Sequence, residues 1–456
     1  TGYTFTRPIR QHQLRTGVTW RADWASSVNN ANARGTYTFT GVYAGRGADV
    51  AGGSGAGLAD FLLGLPQQAA LQVGGTTHLS GHEIDAFVDD TWRPHARLTV
   101  NLGLRYELVL PYTEANGRMA NLDVTPDFTA AVPVPAGAAG PFSGLLPAGL
   151  VRADVNNLGP RLGLAWRAAR GTVVRGGYGI TYNSGSYAAI ARQLAGQPPF
   201  TATNTLTGTL ASPLDFATAL LTPVTTTTNN WGVDPNYALG QIQTWNATLT
   251  RDLSRSWSVM LGYTGTRGRD LDILRAPNRG PLGLRIAGVQ PFTWESSGGR
   301  SLLNSGTFQV RRRLAGGVSA SATYTLAKSM DNASSLGSGA AVVAQNDQDL
   351  ASEWARSNFD RRHQFSAQAM WELPFGTQRR WLTNGGVLAE VIGHWNLSAS
   401  FTAQSGTPYT VRVAAAASDL LRGTSGTLRA DYNGAPITLT DPTIGTFFNT
   451  DRKSVV

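Results

Sequence analysis

The stretch RLTVNLGLRYELVL, residues 97–110, limits the fold more than any other part of the chain. Leu98, Val100, Leu102, Leu104, Tyr106, Leu108 and Leu110 alternate with Arg97, Thr99, Asn101, Arg105 and Glu107. A period of two puts the apolar set on one face of a β-strand and the polar set on the other. The alternation runs well past the roughly 5–6 residues of an ordinary globular strand. A tilted strand needs about 9–11 residues to cross lipid, so the spacing predicts a transmembrane β-barrel.

The same pattern recurs along the chain. QLRTGVTWRA (13–22) sets Leu14, Val18 and Trp20 in one phase, and EIDAFVDDTW (83–92) does so with Ile84, Ala86, Val88 and Trp92. RLGLAWRA (161–168), TVVRGGYGITY (172–182), QIQTWNATLTR (241–251), SWSVMLGYTGT (256–266) and GTFQVRRRL (306–314) continue the series. VSASATYTLAK (318–328), RHQFSAQAMWELPFG (362–376) and HWNLSASFTAQSG (394–406) complete it. GTYTFTG (35–41) and AALQVGG (69–75) read as two more strands, and GLADFLLGLP (57–66) as a short helix or packed turn. Counted from residue 13, this predicts about 13–14 strands.

Connections between these strands alternate short and long. The long ones fall at about 111–160, 183–240, 267–305 and 329–361. That parity defines an antiparallel up-and-down barrel with tight periplasmic turns and long extracellular loops. Trp92, Trp166, Trp257, Trp371 and Trp395 then lie at the periplasmic ends in the apolar phase, with Tyr106, Tyr182, Tyr263 and Tyr324 toward the opposite ends. Two aromatic girdles around an apolar band fit a membrane barrel better than the core of a secreted sandwich. The opposite phase is polar or small, for example Arg161, Gly163 and Arg167, or Asn246, Thr248 and Thr250, which predicts a wet or domain-filled lumen.

Composition narrows the function. The 456 residues include no Cys, which removes disulfides and thiol chemistry. No run of about 18 apolar residues predicts a transmembrane helix. TGYTFTRPIR has no apolar core, so no signal peptide is visible and the natural start is expected upstream. The net charge of +9 comes from arginines scattered through strands and loops without a run of five basics, which argues against nucleic acid as partner.

Candidate chemistry is sparse. Asn346, Asp347, Asp349 and Glu353 invite a calcium reading but lack the glycine and terminal glutamate of an EF-hand loop, which favours a solvated acidic loop. Asp360, Arg361, Arg362 and His363 read as a rim cluster holding loop to strand rather than as a metal or catalytic group. RGGYG (175–179) lies inside a strand and fails as a phosphate loop. The six His show no metal spacing, and no Ser/His/Asp or paired-carboxylate arrangement emerges. A non-enzyme without cofactor is expected. Tyr187, Trp231, Tyr237 and Trp294 in the long loops are suited to stacking on a carbohydrate or peptide, or to packing loop on loop.

Several strings resemble one family. They are LADFLLGLP (58–66), FVDDTWRPHARLTVNLGLRYE (87–107), NLGPRLGLAWR (157–167), VVRGGYGITY (173–182) and QTWNATLTRDL (243–253). YTGTRGRDL (263–271), YTLAKSMDNAS (324–334), NFDRRHQFSAQAMWELPFG (358–376) and WNLSASFTAQSGTPYTV (395–411) follow in order. Together they resemble the Oar-like TonB-dependent receptors of the bacterial outer membrane. These are scaffold motifs and identify no ligand. The resemblance implies a barrel of about 22 strands around a plug, a TonB box, and often a carboxypeptidase-regulatory-like domain in front. On that basis residues 1–450 are expected to form part of a barrel, without plug or N-terminal domains. DRKSVV (451–456) matches a translated sequencing adapter and is expected to be non-native. Implied partners are outer-membrane lipid and lipopolysaccharide, TonB–ExbB–ExbD through the plug and TonB box, and an unidentified solute. The expected function is energised solute uptake; a surface or adhesion protein and a passive porin are the alternatives.

Overall fold

Twelve long strands follow one another in chain order, each hydrogen-bonded antiparallel to the next. In the computed structural model, which describes residues 1–28, 34–45, 56–221, 230–280, 283–334, 344–376, 379–410 and 429, they are β1 (Gly2–Ile9), β2 (His12–Val28), β3 (Thr76–His95) and β4 (Leu98–Val109). Next come β5 (Leu158–Ala169), β6 (Thr172–Tyr182), β7 (Gln241–Asp252) and β8 (Trp257–Arg275). β9 (Thr293–Ala315), β10 (Val318–Asp331), β11 (His363–Glu372) and β12 (Asn396–Gln404) end the series. Tight turns close one end. At the β9–β10 turn Gly316 and Gly317 take φ of 59° and 76°, the left-handed pair that a two-residue hairpin requires and that glycine adopts without strain.

Register sorts the two faces as the alternation predicts. Leu102 pairs with Leu162, Leu162 with Tyr178, and Tyr178 with Trp245, one continuous apolar row. One residue away runs Asn101, Gly163, Gly177 and Asn246. The apolar row is open to its surroundings: Leu102 is 45% exposed, Leu162 52% and, further round the sheet, Phe401 59%. So broad an exposed apolar face belongs in lipid rather than water. The periplasmic and extracellular aromatics lie on this face at opposite ends, with Trp166 paired to Leu98 and Tyr106 paired to Leu158.

The wall departs from the sequence reading in four places. Gly2–Ile9, outside the count made from residue 13, is the first wall strand. Thr36–Thr38 and Gln68–Gly74 join Thr201–Thr207 in a separate three-stranded sheet at the long-loop end. Those runs are shorter than the roughly 9–11 residues that cross lipid, and alternation alone does not separate a loop hairpin from a wall strand. The expected loop 267–305 is mostly strand, because β8 and β9 stay paired up to Arg275 and Trp294. Similarly β10 reaches Asp331 and narrows the expected 329–361 loop. Beyond the lipid band both faces are wet or loop-covered, so the apolar–polar contrast that reveals a strand fades there. The described wall therefore has twelve strands rather than about thirteen or fourteen.

GLADFLLGLP does form a short helix, α1 (Ala56–Leu62). Among the described residues β1 and β12, the outermost strands, are not paired with each other, so the sheet is open. The tail 451–456 lies outside the described residues.

Candidate functional site: a polar wall beneath a loop cap

The inner face of β2 to β5 carries matched charge. Arg105 sits between Asp85 (2.9 Å) and Glu107 (2.6 Å), while Arg21 pairs with Glu83 and with Asp23 (3.3 Å). Glycines let these side chains lie flat. A Cβ at Gly17 would collide with the Phe87 ring, at Gly103 with the Asp89 carboxylate, and at Gly81 with the Tyr112 ring. Within RGGYG, Gly177 faces the Asn246 side chain, in keeping with a wall glycine rather than a phosphate loop. Thr6, Arg15, Asp89, Thr91, Asn101 and Arg161 help line a recess of about 760 Å³ on this face. A wall so neutralised and smoothed can hold water or bear against a polar domain.

Above it, the segments 110–157, 183–200 and 230–240 pack into a cap with its own apolar core. α2 (Ser186–Ala195) buries Tyr187, Ile190, Ala191, Leu194 and Ala195, the i, i+3, i+4, i+7, i+8 stripe of an amphipathic helix. Gly196 ends it. Met119, Leu150, Val151, Trp231, Val233 and Tyr237 close over that stripe. Asp154 stitches these segments: its carboxylate accepts from the Leu239 N–H (2.9 Å), and its own N–H donates to the Tyr187 hydroxyl (3.3 Å). Burial pushes the Tyr187 hydroxyl up to about 12, so it stays protonated.

The four loop aromatics thus have a structural place. Tyr187, Trp231, Tyr237 and Trp294 are 1%, 6%, 1% and 5% exposed. Tyr187 and Tyr237 meet edge to face, and Trp294 does so with Phe128 and Phe292. They pack loop on loop and are not displayed for stacking on a solute.

The acidic loop residues are also engaged. Asp347 takes a two-pronged bond from Arg275 (2.9 and 2.8 Å), and Glu353 takes one from Arg429 (2.6 and 2.7 Å). Asp349 accepts from the Ser352 N–H (3.3 Å) and Asn346 from the Gln348 N–H (3.2 Å), so both act as turn caps. At the rim, Asp360 accepts from Ser329 N–H (2.8 Å), Arg361 donates to Gln404 (2.9 Å) and His363 Nδ1 meets the Tyr324 hydroxyl (2.7 Å). The first two contacts tie Asp360 and Arg361 to neighbouring strands, and the third joins β11 to β10. Sequence order gives no sign of these arginine partners, because Arg275 and Asp347 are distant in the chain.

One carboxylate pair was not foreseen. Glu295 and Asp272 lie near each other where β8 and β9 rise above the lipid band, and Tyr237 donates to Asp272. Crowding by the protein, then the neighbouring Asp272 charge, pushes Glu295 up to about 8; burial also raises Asp272. The folded-state value lies above the unfolded carboxylate value of 4.5. The contribution to stability is therefore full below about pH 4.5 and is lost as pH rises through about 8. We expect protease cleavage of the cap to increase across that window, and Glu295→Gln to flatten the dependence; an unchanged pH profile in the variant would contradict this.

Strands with one lipid-exposed apolar face, aromatic rims, a polar inner face, tight turns at one end and long loops at the other define the wall of an outer-membrane β-barrel. The chain belongs to the outer membrane beta barrel domain family, whose profile matches residues 2–454. By the general rule for such barrels, the short turns face the periplasm and the cap faces outward. No curated protein matches the chain. Among solved structures it is similar to the outer membrane transporter YddB from Escherichia coli, at 11% identity and TM-score 0.47, over 88% of this chain and 46% of that one. It is also similar to the FrpB iron transporter from Neisseria meningitidis (10%, TM-score 0.39, 82% and 40%). A third is the ferric-catecholate import receptor Fiu from K12 E. coli (11%, TM-score 0.38, 81% and 41%). The chain spans less than half the length of these structures.

Proposed function

We propose that the chain is part of the barrel of a TonB-dependent receptor, of the Oar-like kind its motifs resemble, and that it works in solute uptake without enzymatic chemistry. The observation that carries this reading is the open twelve-stranded wall. Unpaired strand edges are costly in lipid, so a wall this wide calls for further strands before it closes. A barrel of the about 22 strands that the resemblance implies has a lumen wide enough to hold a plug. The paired charges and flattened glycine rows of the inner face suit a polar domain seated against them. In this reading the cap meets the solute and the plug gates the lumen. TonB, energised through ExbB and ExbD, moves the plug.

Sequencing the source DNA outward from both ends tests it. The expected result is a plug-sized domain with a TonB box upstream and additional strands ending in an aromatic downstream. Native codons that start near Thr1 and stop near Val456 would overturn it and leave the porin or adhesin readings.

A further inference from the structure

The excess positive charge that looks scattered in sequence gathers, in the fold, at the short-turn rim. Arg7, Arg251 and Arg312 share the lipid-facing phase with Phe5, Leu249 and Val310. Arg170, Arg255 and Arg380 project from the adjoining connections and are exposed. Carboxylates at this rim are mostly spoken for. Asp90 meets His12 (2.6 Å), Asp252 takes Arg313 (3.0 Å) and Glu372 takes Arg379 (2.8 Å), which among the described residues leaves Asp89, on the inner face, and Glu390. At the long-loop end Arg21, Arg105, Arg275 and Arg429 are held by carboxylates, while Arg192, Arg267 and Arg300 there are exposed, so it is the shortage of carboxylates that sets the short-turn rim apart.

Tryptophans share the rim with these arginines. Trp166, Trp257, Trp371, Trp381 and Trp395 are all at least 40% exposed, the last at 57%. The Arg312 guanidinium lies 5.7 Å from the Trp257 ring centre, and that of Arg380 lies 5.4 Å from the Trp381 ring. A guanidinium held on an indole at the edge of an apolar band sits at headgroup depth and has donors free for phosphate oxygens.

We propose that this rim is a binding belt for anionic phospholipid headgroups of the periplasmic leaflet, and that it selects phosphatidylglycerol-type over zwitterionic lipid. The phosphate and net charge of such a headgroup complement the unmatched arginines, while the indoles occupy the glycerol region. Each juxtamembrane arginine adds an attraction to an anionic surface, so the belt acts by number as well as geometry.

Quenching of tryptophan fluorescence by brominated lipid tests it. The full-length receptor, with its barrel closed, is held in mixed micelles of phosphatidylcholine and phosphatidylglycerol, with bromine on one lipid or the other. Brominated phosphatidylglycerol should quench at roughly threefold or greater effective excess. Sodium chloride at about 0.5 M should abolish that excess through screening. The combined variant Arg7→Gln, Arg251→Gln, Arg312→Gln and Arg380→Gln should bring the ratio near one. The same four positions changed to Lys should largely retain it, and Arg152→Gln with Arg285→Gln in the long loops should leave it intact. Equal quenching by the two lipids would overturn the proposal, as would a preference that survives both salt and the Gln variant. If the Gln variant loses its β-sheet circular dichroism, the salt and Lys arms still decide.

Discussion

Replacing Asn121 with leucine uncouples the two halves of the cap and leaves the barrel wall in place. Asn121 is fully buried, and its side chain imitates a strand neighbour. Its Nδ2 donates to the Val233 carbonyl (2.9 Å), and its Oδ1 accepts from the Val233 N–H (2.9 Å) and the Leu122 N–H (2.8 Å). Val233 is itself buried, so leucine strands a backbone donor and acceptor away from water. Each such group costs roughly 1–3 kcal/mol, which puts the total at roughly 2–6 kcal/mol. Hydrogen exchange measured by mass spectrometry should show lost protection in 120–124 and 230–240, with β4 and β5 unchanged. Asn121→Asp, which keeps an acceptor but lacks the donor, should fall between the two. Retained protection at Val233 in the leucine variant would refute the bridging role.

Tyr187→Ala should be the most damaging single change to the cap core. The ring is buried at the N-terminal end of the stripe that α2 presents, against Tyr237. Truncating a large buried aromatic costs roughly 3–5 kcal/mol, because the cavity collapses only in part. Tyr187→Phe keeps the packing and loses only the hydroxyl that takes the Asp154 N–H (3.3 Å), an effect of roughly 0.5–1.5 kcal/mol. Limited proteolysis of residues 110–157 and 183–240 separates the variants. A solute-stacking Tyr187 would behave differently: alanine would weaken binding and leave cleavage rates alone.

The barrel was legible because lipid imposes a strict rule on each strand that crosses it. Leu98 to Leu110, or Val318 to Lys328, must alternate where one face meets hydrocarbon and the other meets the lumen. Girdle residues such as Trp166 and Tyr106 were legible for the same reason. Outside the lipid the rule lapses. The upper half of β9, TWESSGGRS, has no apolar face to reveal it and read as loop. The cap was legible only as a length of chain. The stripe Tyr187, Ile190, Ala191, Leu194 was present in the sequence at helical spacing and marks α2 in retrospect. The partner surface, Met119 and Leu150 from one loop with Val233 from another, depends on long-range folding that no local pattern encodes. The same holds for the charged residues. Glu353 is an acidic loop residue in sequence and the anchor of Arg429 in the fold. A scatter of arginines becomes a rim only once the turns are brought to one level.

The height of the β8–β9 hairpin has a consequence for how such a surface diversifies. β9 has 23 residues, about twice what a lipid crossing uses. Its lower part is bound by the demands of membrane insertion. The upper part stands as a hydrogen-bonded parapet, topped by residues 276–280 and 283–292. Sequence exchanged at the crown is therefore insulated from the embedded band by several rungs of hydrogen-bonded ladder. An approaching phage or antibody meets the crown and the neighbouring cap, not the embedded band. The chain can renew the face it shows to them without renegotiating its place in the membrane.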